Sequence, residues 1–137
     1  MFLYYIGKPR DPHANSIAEQ FVERASHYAP VRMLEIRPDK TDLLAKHPSA
    51  RHIYLDPAGR ALDSDAFSRI FQQSELLGRD LVFLVGGADG LPAAYRAKAA
   101  MLLSLSPMTF PHELARAMLA EQIYRSFTML RGHPYPR

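Results

Sequence analysis

Leu81-Val82-Phe83-Leu84-Val85-Gly86-Gly87-Ala88-Asp89-Gly90-Leu91 is the stretch on which the fold turns. Five β-favouring apolar residues run without polar alternation and stop at a glycine pair. Such a run suits a strand covered on both faces, as in a parallel sheet. Downstream, Pro92 suits the first turn of a helix. Met101 to Leu105 is a further strand, 107–111 a loop, and Pro111 begins a long helix to about Leu130. Upstream, Asp63 or Ser64 can cap a helix with the stripe Phe67, Ile70, Phe71 and Leu77, ending at Gly78. His52 to Asp56 is a strand stopped by Pro57 and Gly59, and Asp39 to Ser49 is a weak helix or a loop. Val31 to Arg37 is a strand. Ser16 with Glu19 resembles a capping box for a helix with the stripe Ile17, Phe21, Ala25 and Tyr28, and Phe2 to Ile6 is the first strand. Strands and helices alternate throughout, which predicts a single three-layer α/β/α domain over 1–137 with a mainly parallel sheet.

Bulk properties narrow the function classes. With 137 residues and 47 % apolar content the chain can bury one real core. It has no apolar run of about 18 residues, so no membrane span is expected. The apolar opening at 1–6 is too short for a signal-peptide core, which points to a cytoplasmic protein. Cysteine is absent, which excludes disulfides and thiol nucleophiles. The formal charge of +3 fits a phosphate-rich partner, and a basic enzyme without one would look the same.

Ligands of open α/β sheets gather beyond the carboxyl ends of the strands, and three loops leave strands there: 55–60, 86–91 and 105–111. The glycines of the second permit a tight turn and close approach of a ligand to backbone, although an ordinary strand-to-helix turn has the same composition. Their spacing matches neither G-x-G-x-x-G nor a P-loop. The third loop, Leu105-Ser106-Pro107-Met108-Thr109-Phe110-Pro111, offers stiffened backbone polar groups beside Met108 and Phe110, a setting for an adenine ring or simply a core plug. In the last helix Leu119, Ile123, Phe127 and Leu130 form one apolar stripe, and Leu114, Met118 and Tyr124 extend it to another face. Two covered sides are therefore needed, from a second copy of the chain or from the N-terminal helix. Glu121 and Arg125 are placed to pair. The six histidines are scattered, His27 and His47 reading as surface residues and His112 as a neighbour of the third loop. No metal site is expected from their spacing, and no hydrolase motif is present.

Taken in order, these segments resemble a known family. Phe83 to Leu91 is similar to its apolar-strand-then-G-G-x-x-G-L motif, and Leu103 to His112 to its second motif. Arg116, Glu121 to Arg125 and Gly132-His133-Pro134-Tyr135 continue the likeness, and Leu55-Asp56 with Gly59-Arg60 resembles its L-[DE]-x-x-G-K turn. The family is RlmH, of the SPOUT or α/β-knot superfamily. The resemblance implies a C-terminal trefoil knot, a homodimer and S-adenosylmethionine as cofactor. It also implies methylation of N3 of pseudouridine 1915 in helix 69 of 23S rRNA on the assembled ribosome. Carried over by motif, the cofactor site comprises Leu55, Gly86, Leu105, Ser106, Pro107, Met108, Thr109 and Phe110, and the dimer forms through the helix at 111–130.

Two departures stand out. The segment between Arg37 and Arg51 is shorter than the family's, and the tail ends Tyr135-Pro136-Arg137 where the family has Tyr-His and a basic residue. Methylating an imide nitrogen requires removal of its proton, which suggests His133 as base with Tyr135 and Arg137 positioning the substrate. Arg116, Arg125 and Arg137 are candidate phosphate contacts. Another RNA substrate such as tRNA, or a non-catalytic ribosome-binding role, are the alternatives.

Overall fold

The computed structural model describes residues 1–135. Five strands, β1 (Phe2–Ile6), β2 (Arg32–Ile36), β3 (Arg51–Ala61), β4 (Leu81–Val85) and β5 (Met101–Ser104), form one all-parallel sheet in the order β2-β1-β4-β3-β5. The helices are α1 (Pro12–Ala25), α2 (Leu43–Lys46), α3 (Ser64–Leu77), α4 (Ala93–Lys98) and α5 (His112–Leu130). Every residue of β4 is buried, as its unbroken apolar run requires. Phe83 and Val85 join Leu3, Ile53, Phe67, Phe71, Leu119 and Phe127 in the core under α1, α3 and α5. Val82 and Leu84 face the other way, into Tyr4, Tyr54, Leu43 of α2 and Tyr95 of α4. Strand geometry sends successive side chains to opposite faces, so one short strand seeds both cores of the three-layer sandwich.

Helix ends follow local chemistry, with one departure from expectation. Asp63 accepts from the Ala66 amide at 2.7 Å, and Gly78 ends α3 at φ 61°, as the sequence suggested. In α1, however, the cap is Asp11 rather than Ser16. Its carboxylate accepts from the His13 and Ala14 amides at 3.0 and 3.2 Å, with Pro12 opening the helix. Proline's fixed φ and an acidic cap outweigh the weaker Ser-x-x-Glu signal. The buried face of α1 is Ala14, Ala18 and Ala25, and Ile17 is 45 % exposed. Replacing either cap, Asp11→Ala or Asp63→Ala, is expected to cost about 1 kcal/mol, read as a lowered midpoint in urea unfolding. A change below a few tenths would mean that packing alone sets these helix starts.

β3 also differs from expectation: it does not stop at Pro57. The strand slips register against β5, where Leu55 and Arg60 both align with Leu103. Pro57 falls in the slipped stretch, where no ladder hydrogen bond is required of it. Gly59 is required there because a Cβ would lie 2.6 Å from the Leu102 backbone carbon. His47, expected at the surface, is half-buried, hydrogen-bonded to the Tyr4 hydroxyl at 2.7 Å. Burial first, then the Lys46 charge, lowers its pKa.

Candidate cofactor site

The parallel arrangement brings the slipped stretch of β3 and the loops after β4 and β5 to one edge of the sheet, where they enclose a cavity of about 310 Å³. That is within the range of small-molecule sites. Leu55, Gly86, Leu105, Ser106, Met108, Thr109 and Phe110 all line it, and Pro107 lies within the same loop without forming wall. The loop after β5 is pinned by its own hydroxyls. Ser104 Oγ donates to the Ser106 carbonyl at 2.9 Å, and Ser106 Oγ accepts from the Met108 amide at 3.0 Å. Thus held, Met108 is 73 % exposed and Phe110 37 %, which is apolar surface left open beside the cavity rather than a core plug. On the opposite wall, Gly86 and Gly87 bring backbone to the cavity. The turn is closed by the Gly90 amide donating to the Gly87 carbonyl at 2.9 Å.

Sequence reasoning left the three ionisable wall residues out of the site. His112, half-buried at the start of α5, lines the cavity. Asp56 does too, with its side chain only 3 % exposed. Its Oδ1 accepts from the Ala58 amide at 2.8 Å, and Arg96 stands 2.5 Å from Oδ2. The legible signal for Asp56 was a carboxylate placed directly at the carboxyl end of a buried strand. Arg96 lies in a part of α4 with no motif.

His133 and Tyr135 are not brought to this cavity within one chain. His133 is exposed; its amide donates to the Thr128 carbonyl at 3.0 Å and its Nδ1 accepts from the Tyr135 amide at 3.1 Å. Tyr135 lies back on α5, edge-on to the Tyr124 ring at 4.8 Å and hydrogen-bonded to the Glu121 carboxylate. Burial and that carboxylate push its phenol up to about 12, so it is a neutral donor near pH 7 and not a base. Glu121 also pairs with Arg125 at 2.7 Å, as helical spacing indicated. Pro136 and Arg137 lie outside the described residues.

Arg116 is not a phosphate contact. It is 2 % exposed, its guanidinium stacked 3.8 Å from the Tyr5 ring centroid and donating to Asn15 Oδ1 at 3.0 Å, with Glu113 3.7 Å away. Glu113 in turn accepts from the Arg10 and Asp11 amides, so Arg116 belongs to the clasp joining α5 to the start of α1. With α1 clasped in this way, most of the apolar surface of α5 is covered within the chain. Ile123, Phe127 and Leu119 lie under the sheet and the neighbouring helices. Tyr124 meets Phe21 and Tyr28 from the α1 side. Leu114 and Met118 are left exposed at 44 % and 36 %.

The wall suits an adenosyl ligand. Stiffened loop amides and carbonyls can read the edge of a base, Met108 and Phe110 can lie against its faces, and a buried carboxylate can accept from a hydroxyl or ammonium group. Gly86 is required in that wall because a Cβ would lie 2.5 Å from the Gly90 backbone carbon, so only glycine lets the turn close.

Comparison with known proteins agrees. Residues 1–136 match the family described as predicted SPOUT methyltransferase. The ribosomal RNA large subunit methyltransferase H of Solibacter usitatus is 64 % identical over 137 residues, spanning 100 % of this chain and 99 % of that protein. The protein of the same name from Thermus thermophilus is 42 % identical over 132 residues, 96 % of this chain and 94 % of its own length. Among solved structures, a probable methyltransferase from Bordetella pertussis superposes with TM-score 0.60 at 10 % identity, covering 92 % of this chain and 95 % of that one. The SpoU methyltransferase AviRb of Streptomyces viridochromogenes, in complex with AdoMet, superposes with TM-score 0.55 at 11 % identity, covering 91 % and 57 %. With a parallel α/β sheet and a cavity of this kind at its carboxyl edge, the chain belongs to the SPOUT methyltransferase family, within its RlmH group, and is an S-adenosylmethionine-dependent methyltransferase.

Proposed function

We propose that this protein methylates N3 of pseudouridine 1915 in helix 69 of 23S rRNA on the assembled ribosome, acting in the cytoplasm as a single-domain homodimer with the family's knotted C-terminus. The observation that carries the reading is the full-length similarity to proteins named as ribosomal RNA large subunit methyltransferases. The surface supports it. Lys8 and Arg10 follow β1, and Arg37 and Lys40 follow β2, so four exposed cations stand on the same sheet edge as the cavity. None of their side chains makes an ion pair among the described residues. Phosphate contacts of this kind make binding weaken steeply with salt.

The bound cofactor supplies a methyl group already activated by its sulfonium. The chain then has to hold that ligand against Leu55, Gly86 and the run Leu105 to Phe110, and to align the target nitrogen and accept its proton. His133 is the base in this reading, with Tyr135 donating a hydrogen bond and Arg137 positioning substrate. Since His133 does not line its own chain's cavity, it acts across the dimer, at the cavity of the partner subunit. Phe110, Leu114 and Met118 give the dimer an apolar contact, beside a second groove lined by Phe67, Leu105 and Gln122.

Mass mapping of rRNA from a strain lacking the gene is expected to lose one methyl group at this pseudouridine. In vitro, methyl transfer is expected to ribosomes and not to bulk tRNA; transfer to tRNA alone overturns the substrate. His133→Ala is expected to lower methyl transfer at least about a hundredfold while leaving cofactor affinity unchanged. Full methylation by that variant would remove His133 from the mechanism.

A further inference from the structure

Asp56 is a buried carboxylate in the cavity wall that the motif-derived cofactor site does not include. Its two oxygens are not equivalent. Oδ1 is satisfied by the Ala58 amide. Oδ2 has no hydrogen-bond partner among the described residues, although it is fully enclosed. The Arg96 guanidinium comes within 2.5 Å of Oδ2 but is not aligned to donate to it. Arg96 itself lies in α4, half exposed at 50 %, on the rim of the same cavity. A buried carboxylate oxygen with a counter-charge but no aligned donor is costly, and a positioned donor would satisfy it. Besides Asp56 itself, the only ionisable side chains among the described residues that line the cavity are Arg96 and His112.

We propose that Asp56 is the acceptor for a hydrogen-bond donor of the bound cofactor, a ribose hydroxyl or the α-ammonium, and that Arg96 is a displaceable counter-ion that occupies Asp56 in the free protein. Arg96 is suited to leave. Its side chain is anchored by one misaligned contact and is half in water, where an arginine head can be rehydrated at little cost. Asp56 cannot leave, because it is held by the Ala58 amide and enclosed. Binding therefore exchanges one partner of a fixed carboxylate, and Arg96 lowers the apparent affinity by the fraction of time it holds that site.

The test is calorimetric titration of S-adenosylhomocysteine, which reads binding without methyl transfer, into wild type, Asp56→Asn, Arg96→Gln and the double variant. Displacement predicts that Asp56→Asn binds about tenfold or more weakly, the loss expected for a charge-assisted hydrogen bond. It predicts that Arg96→Gln binds a few-fold more tightly, and that the double variant behaves as Asp56→Asn, because the arginine matters only through the carboxylate. Titration with methylthioadenosine, which has the ribose but no amino acid, separates the two donors. A penalty retained in Asp56→Asn assigns the ribose hydroxyls, and a penalty lost assigns the ammonium. Unchanged affinity in Asp56→Asn overturns the proposal. So does weaker binding by Arg96→Gln, which would make the pair a structural brace of the wall. Should Asp56→Asn not fold, the direction of the Arg96→Gln change decides alone. None of these arms depends on which RNA is the substrate.

Discussion

Gly86→Ala is expected to lose cofactor affinity by well over tenfold and to unfold at a lower temperature than the wild-type protein. The added methyl carbon would lie 2.5 Å from the Gly90 carbonyl carbon, 2.7 Å from its oxygen and 2.8 Å from the Leu91 amide nitrogen. All three are backbone atoms, so no rotamer change relieves the clash. The turn must open instead. It is the same turn that is closed by the Gly87–Gly90 hydrogen bond and that forms one wall of the cavity. Overpacking of this kind costs about 1–3 kcal/mol, and displacement of the wall adds the loss in binding. Gly78→Ala is the matched control. Gly78 has φ 61°, and a Cβ there would meet nothing within 4 Å, so the strain of a left-handed alanine, about 1 kcal/mol, is its whole cost. The control is expected to lower stability and leave S-adenosylhomocysteine affinity unchanged. A folded Gly86→Ala that binds like wild type would show that the turn moves freely and is not a fixed wall.

Arg116→Ala is expected to destabilise the protein by about 3 kcal/mol, in the range for breaking one half of a buried charged pair. That is a large share of the stability of a domain this size. The substitution removes the stack on Tyr5 and the bond to Asn15, and it leaves Glu113 facing only the amides of Arg10 and Asp11. Arg116→Lys is not expected to restore it. An ammonium cannot lie flat on the ring while also reaching Asn15, as the planar guanidinium does. Urea unfolding measures the loss, and RNA binding per folded molecule should keep its salt dependence. A variant of wild-type stability with a shallower salt dependence would instead return Arg116 to the surface that meets phosphate.

The order of elements was legible because each signal is local. Apolar run length marked β4 and β5, acidic and proline caps marked α3, α4 and α5, and Gly78 marked the end of α3. Where local signals competed the sequence misled. Two cap patterns lay five residues apart at the start of α1, and the stronger one set the helix start. In β3, Pro57 and Gly59 look like a stop, and only the slipped pairing with β5 shows why the strand continues.

The cavity was half legible. Most of its wall lies in the two loops marked by motif, since a loop that must approach a ligand needs glycine or proline and these are visible one residue at a time. Arg96 carries no such mark, and its pairing with Asp56 joins β3 to α4 across 40 positions of chain. Arg116 shows the same limit from the other side. Its charge suggested solvent and phosphate, and the packing of α1 on α5 enclosed it.

The sequence by itself determined the alternation of strands and helices, the two-sided burial of β4, the two glycine- and proline-marked loops and the family they resemble. These depend on residue type, spacing and backbone preference, which act within a few residues. Only the tertiary structure decided the strand order, which cation is buried and which is free, the carboxylate left without a donor, and the separation of His133 and Tyr135 from their own chain's cavity. Those depend on distances between segments remote in sequence, which are fixed when the helices close over the sheet.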